Sequence, residues 1–148
     1  MHTKQNTISR SVLVVDDEPA MLNYVRHLLE ADHYLVQTTT DGQQAVELVR
    51  SGLTPDVILL DLNLSGMDGL KTLSELLQLR PGMKVIICSG TPDPRKTISA
   101  LAMGAHDFLP KPFRHLYLSA ALEHCLANQQ EDAKVRWSVV QDMWEAAT

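Results

Sequence analysis

With 148 residues, 45% apolar and 21% charged side chains, the chain suits a single globular domain and is too apolar to be disordered. A formal charge of −5 lacks the Lys/Arg excess of a nucleic-acid surface, so no direct nucleic-acid binding is expected. No apolar run approaches the ~18 residues that span a bilayer. Residues 1–10 are polar and carry no signal-peptide core, and the two cysteines, Cys88 and Cys125, form no CxxC motif. The expectation is a cytoplasmic protein with reduced thiols and no membrane partner.

Taken in order, short β-branched apolar runs alternate with segments of helical period. Val12 to Val15 is an unbroken apolar run closed by Asp16, Asp17 and Glu18. Pro19 then opens a predicted helix with apolar positions at Met21/Leu22, Val25 and Leu28/Leu29. Tyr34 to Thr38 reads as a more polar strand suited to a sheet edge. Asp41 and Gly42 start a helix carrying Ala45, Val46, Leu48 and Val49, and Pro55 precedes a third strand, Val57 to Leu60. Leu70, Leu73 and Leu76/Leu77 form the next helical stripe, stopped by Pro81 and Gly82. Val85 to Cys88 is the fourth strand, Ile98, Leu101 and Ala102 mark a helix ending at Gly104, and Phe108 with Leu109 is a short fifth strand. Leu118, Ala121, Leu122 and Cys125 define the last helix of the unit.

Continuous apolar strands alternating with helices predict an α/β fold, a doubly wound parallel sheet covered on both faces. The first and third strands are the most apolar and are expected to be central. This favours the flavodoxin-like order 2-1-3-4-5, in which chemistry gathers at the carboxyl ends of the central strands. Strand 1 ends in Asp16 and Asp17, and strand 3 in Asp61. Neighbouring parallel strands lie about 5 Å apart, so the three carboxylates converge and repel unless a cation neutralises them. A hard, oxygen-seeking ion such as Mg²⁺ suits them. Helix capping accounts for Asp16 or Asp17 but not for three acids at two strand ends. The same rim receives Ser89 and Gly90 from strand 4 and Lys111-Pro112 from strand 5. Acids, an ammonium, a hydroxyl and Mg²⁺ compose a site for a phosphoryl group, with a carboxylate as nucleophile.

VLVVDDE (Val12 to Glu18), DLNLSGMDG (Asp61 to Gly69), Ser89-Gly90 and Lys111-Pro112-Phe113 resemble the receiver domains of two-component response regulators, over about Ser11 to Leu126. The resemblance implies that Asp61 accepts a phosphoryl group from a sensor histidine kinase or a histidine phosphotransfer protein. It implies that Asp16, Asp17, Asp61 and the backbone carbonyl of Asn63 hold Mg²⁺. Lys111 corresponds to the family's lysine, before a proline whose peptide bond is usually cis. Ser89 and Phe108 correspond to its hydroxyl and aromatic switch pair. Autodephosphorylation is implied as well, so the expected role is a switch and not a classical enzyme. The chain departs from the family in carrying Leu64-Ser65 where Met-Pro is common, and Phe108 where Tyr is frequent. Thr91 and Asn63 stand at positions associated with phosphoryl lifetime.

Two other functions fit parts of the pattern. An aspartate-nucleophile phosphohydrolase of the haloacid-dehalogenase type needs an acid two residues after its nucleophile, where this chain has Asn63. A receiver-like module without phosphorylation need not keep Asp16, Asp17, Asp61, Ser89 and Lys111 together. The six histidines form no HExxH or tight metal pair, Asp93-Pro94-Arg95-Lys96 reads as a solvated helix start, and no phosphate-binding glycine motif occurs.

The predicted division is a receiver at 8–127 and a linker or helical tail at 128–148, leading toward an effector domain outside this chain. In the tail Trp137, Val140, Trp144 and Ala147 recur at helical spacing, and both tryptophans lie here. Residues 134–148 are expected to be helical and to bury the indoles, with a second copy of the chain favoured as partner because the receiver's sheet is already covered on both faces.

Overall fold

A computed structural model describes residues 9–91, 93–127, 142, 145 and 146. Each apolar run of the sequence becomes a parallel strand and each periodic segment a helix. The elements are β1 (Ser11–Val15), α1 (Pro19–Ala31), β2 (Leu35–Thr39), α2 (Gly42–Arg50), β3 (Val57–Asp61), α3 (Gly69–Leu79), β4 (Val85–Ser89), α4 (Pro94–Met103), β5 (Asp107–Pro110) and α5 (His115–Ala127). All strand pairings are parallel and the order is β2-β1-β3-β4-β5, as predicted.

Alternation of side chains across the sheet divides the core into two layers. Leu13, Val15, Ile58, Leu60, Val85 and Ile87 face α2, α3 and α4, where they meet Val46, Leu73, Leu76 and Leu101. Val12, Val14, Val57, Leu59 and Ile86 face α1 and α5, where they meet Val25, Leu29, Leu118 and Leu122. Both faces are covered by apolar side chains, so the central strands have no polar side to present. β3 and β4 are buried at every position. The expectation of β1 and β3 as central therefore holds, with β4 as deeply enclosed as either. β2 alternates between exposed and half-buried positions until Thr39, as an edge strand should.

Helix starts follow the short acids that precede them. Asp41, Asp68 and Asp93 each accept a hydrogen bond from the backbone N–H two residues on, at 2.8, 2.9 and 3.0 Å, capping α2, α3 and α4. The run from Asp93 to Lys96 is thus the solvated helix start expected of it. Gly104, at φ 127°, closes α4 in a conformation that costs a side chain dearly. β2 begins at Leu35 and not at Tyr34. His33 stands at φ 70° and the Tyr34 N–H donates to Leu29 O at 3.0 Å, so Tyr34 belongs to the turn that ends α1.

No helix among the described residues is long and apolar enough to cross a membrane. Both cysteines are free thiols and buried. Burial pushes the Cys88 thiol up to about 12, which leaves it neutral and unreactive at ordinary pH.

Candidate functional site

The strand register brings the polar residues together. Val15 pairs with Leu60, so Asp16 emerges beside Asp61, and Asp61 pairs with Cys88, one residue before Ser89. Ser89 pairs with Pro110, which delivers Lys111 to the same rim, and the Lys111 N–H donates to Ser89 O at 2.8 Å. The strands run one residue past the predicted ends, so Asp61 and Ser89 are the last residues of β3 and β4 and share those strands' rigidity. Pro112 follows a cis peptide bond, as the resemblance implies.

Asp16, Asp17 and Asp61 each offer a carboxylate oxygen, and these oxygens lie within 4.8 Å of one another. Asp16 and Asp61 are 3% and 5% exposed, whereas Asp17 is half-buried. The Lys111 ammonium donates to Asp16 Oδ2 at 2.6 Å and to Asp61 Oδ2 at 3.0 Å. Burial alone would push this ammonium's pKa down. Hydrogen bonds to Asp16 and Asp61, with the charges of both, outweigh that cost and hold it above its ordinary value. One cation against three acids leaves an excess of negative charge at the rim. That excess and the all-oxygen donor set fit a hard divalent ion.

The loops between these groups are tied down by short polar contacts. The Glu18 N–H donates to Asp16 Oδ1 at 2.9 Å, so Asp16 does cap a turn, with one oxygen, while the other faces Lys111. The Asn63 N–H donates to Asp61 Oδ1 at 2.9 Å. Ser65, where the family often has proline, donates both its N–H and its hydroxyl to Asp17 Oδ2, each at 3.1 Å. The loop after Asp61 is thereby fastened to Asp17 by hydrogen bonds. An open cleft of about 390 Å³ lies above, lined by Asp17, Glu18, Asp61, Asn63, Gly90, Thr91 and Lys111.

Phe108 does not line this cleft. It is half-buried and packs on the core layer beneath α3 and α4, its backbone paired with Ile87. Two contacts escaped the sequence reading, which had named Asn63 only for its backbone carbonyl and for phosphoryl lifetime. Gly69 opens α3 against the backbone of Asp61 and Leu62, so close that a Cβ would stand 2.5 Å from Leu62 Cα. The Asn63 side chain reaches β4, donating to Ser89 Oγ at 2.8 Å and to Thr91 Oγ1 at 3.1 Å. A glycine inside the motif was the only signal for the first; nothing in the sequence pointed to the second.

Acids, an ammonium and a hydroxyl gather at the carboxyl ends of a five-stranded parallel sheet of receiver type, and the family model for the response regulator receiver domain matches residues 12–123. The chain belongs to that family. It is 33% identical over 118 residues to protein CcdB of Bacillus subtilis, covering 79% of this chain and 98% of that protein. Over 125 residues it is 34% identical to the DNA-binding transcriptional regulator NtrC of Escherichia coli K12, covering 84% of this chain but 26% of that longer protein. The crystal structure of the receiver domain of NtrX from Brucella abortus superposes with a TM-score of 0.75 at 31% identity, covering 80% of this chain and 99% of that one. Receiver domains are signalling switches whose family function is phosphoryl acceptance from histidine kinases and relay to output domains, with Mg²⁺ bound at an acidic pocket.

Proposed function

We propose that this chain accepts a phosphoryl group on Asp61 and thereby switches the surface it offers to an output domain or partner. The observation that carries the reading is the placement of Lys111 Nζ between Asp16 Oδ2 and Asp61 Oδ2, beside three carboxylates that converge within 4.8 Å. An oxygen of Asp61 forms the new bond to phosphorus as the bond to the donor breaks, the leaving atom keeping the electron pair. The donor is a phosphohistidine of a sensor histidine kinase or a histidine phosphotransfer protein. Asp16, Asp17, Asp61 and the backbone carbonyl of Asn63 would hold Mg²⁺, which supplies positive charge against the phosphoryl oxygens. Lys111 adds its own charge from the other side. Hydrolysis of the acyl phosphate by the same site resets the switch.

In the switching step the Ser89 hydroxyl donates to the arriving oxygens and the Phe108 ring follows inward. The receiver occupies residues 8–127, and 128–148 leads to an output element or pairs two copies of the chain. The protein works in the cytoplasm, beside its kinase. A hydrolase of the haloacid-dehalogenase type is disfavoured by Asn63, whose carboxamide cannot serve as a general acid.

The test is intact mass after incubation with acetyl phosphate and Mg²⁺. One phosphoryl group is expected on the wild type and none on Asp61→Asn. Asp17→Ala should need more Mg²⁺ for the same labelling. Undiminished labelling of Asp61→Asn at short times would refute the assignment of the acceptor.

A further inference from the structure

We propose that the Asn63 carboxamide is a positioning residue: a clamp that holds the Ser89 hydroxyl in one rotamer and restrains the switch until Asp61 is modified. The proposal rests on the phosphoacceptor reading for its consequence, though not for the contact itself. A carboxamide nitrogen carries two hydrogens. Both are engaged here, one by Ser89 Oγ at 2.8 Å and one by Thr91 Oγ1 at 3.1 Å. The same residue's backbone N–H holds Asp61 Oδ1 at 2.9 Å. Asn63 therefore joins the acceptor carboxylate at the end of β3 to the hydroxyl at the end of β4.

Burial gives that contact its effect. Ser89 is 2% exposed, so little solvent reaches its hydroxyl while Asn63 covers it, whereas Thr91 and Asn63 stand at the open cleft. A hydroxyl has one hydrogen and two acceptor sites. Among the described residues Ser89 Oγ accepts from Asn63 and donates to no side chain or carbonyl. Its hydrogen is thus the donor left for a phosphoryl oxygen on Asp61. On this reading Ser89 turns to reach that oxygen, and the rotation breaks its bond to Asn63. The new bond to an anionic oxygen is charge-assisted and roughly twice as strong as the neutral one it replaces, so phosphorylation wins the exchange. Without phosphate, the clamp holds. Thr91 is the second anchor, fixing the plane of the carboxamide so that its other hydrogen stays aimed at Ser89.

Removing one such net bond changes a two-state equilibrium about fivefold. Ser89 χ1, measured from side-chain couplings in protein free of Mg²⁺ and phosphate, should show one rotamer in the wild type and averaging in Asn63→Ala. Amide resonances of Ser89 and Phe108 in unmodified Asn63→Ala should also move toward their beryllium-fluoride-saturated positions, by a roughly fivefold gain in the switched population. Thr91→Val should move them the same way by less, and Asn63→Ala in a Ser89→Ala background should add nothing. Averaged couplings in the wild type, or one unchanged rotamer in a folded Asn63→Ala, overturn the clamp. Labelling by acetyl phosphate decides the acceptor reading separately. A wild type that takes no phosphoryl group would overturn that reading, while the rotamer measurement, made without phosphate, still decides the contact.

Discussion

Lys111 Nζ lies 3.0 Å from Asp61 Oδ2 across 50 positions of sequence, and the lysine side chain is 10% exposed. Asp16 completes the arrangement at 2.6 Å. An ammonium so enclosed answers two carboxylates at once, and its removal leaves them facing each other without compensation.

Lys111→Ala is therefore expected to fold but to lose about 3 kcal/mol of stability without Mg²⁺, the order of cost for breaking a buried pair. Mg²⁺ should restore part of the loss. Because the folded Lys111 pKa is raised, its stabilisation is complete below the ordinary value of 10.5 and fades as pH rises through the folded value. Denaturant midpoints from pH 7 upward should thus diverge most between the two proteins below 10.5 and draw together above it. Coupling should weaken too: the beryllium-fluoride shifts at Ser89 and Phe108 should shrink in the variant. Equal midpoints and equal shifts would remove Lys111 from both roles.

Gly69 sets how closely α3 approaches Asp61. A methyl group there would meet Leu62 Cα at 2.5 Å, Leu62 O at 2.6 Å and Asp61 O at 2.8 Å, all backbone atoms that cannot rotate away. Gly69→Ala should cost about 1–3 kcal/mol and slow phosphorylation by displacing the strand end. Urea unfolding and labelling by acetyl phosphate measure the two effects. A variant with parental stability and rate would show that the loop yields at no cost.

A polar brace joins the end of α1 to the start of α5. Asp32 Oδ2 accepts from Ser119 Oγ at 2.7 Å and contacts His115 Nε2 at 2.8 Å. The Ser119 hydrogen bond first, and His115 second, hold the Asp32 carboxyl below its ordinary 3.8. A lowered carboxylate pKa stabilises the fold above the ordinary value and ceases to do so as pH falls through the folded one. Asp32→Asn should therefore be less stable than its parent at neutral pH, by no more than about 1 kcal/mol for so exposed a group. The gap should close on acidification below 3.8. A gap that widens in acid would contradict the brace.

The tail was expected to bury Trp137 and Trp144. Both lie outside the described residues, while Asp142, Glu145 and Ala146 are helical and exposed. The preference for a second copy rested on helices covering both faces of the sheet, and they do cover both. A groove of about 550 Å³ nonetheless opens along β5 and α5, lined by Leu109, Pro110, Pro112, Phe113, Tyr117, Ala121 and others. Both tryptophans of the protein belong to the tail, so indole fluorescence reports on it alone. Blue-shifted emission is expected from the intact chain. If dilution to a monomer abolishes the shift, a second copy covers the stripe; if the shift persists in the monomer, the chain's own surface does. Emission typical of indole in water would dismiss burial altogether.

The fold and the residues of the candidate site were legible in the sequence because they depend on periodicity and on strand ends. Short unbroken apolar runs such as Val57 to Leu60, alternating with segments of helical period, fit strands buried on both faces, and the polar residue that follows each reaches the sheet's rim. Asp16, Asp17, Asp61, Ser89 and Lys111 were found by that rule, and the strand register brought them together. What the tertiary structure decided is how side chains cross between strands. That Asn63 reaches Ser89 and Thr91, that Ser65 binds Asp17, and that Gly69 abuts Asp61 each depend on distances of a few ångströms between loops remote in sequence. Local spacing carries no record of such distances. They follow from the twist of the sheet and the seating of α3 and α4 upon it, which only the packed core fixes.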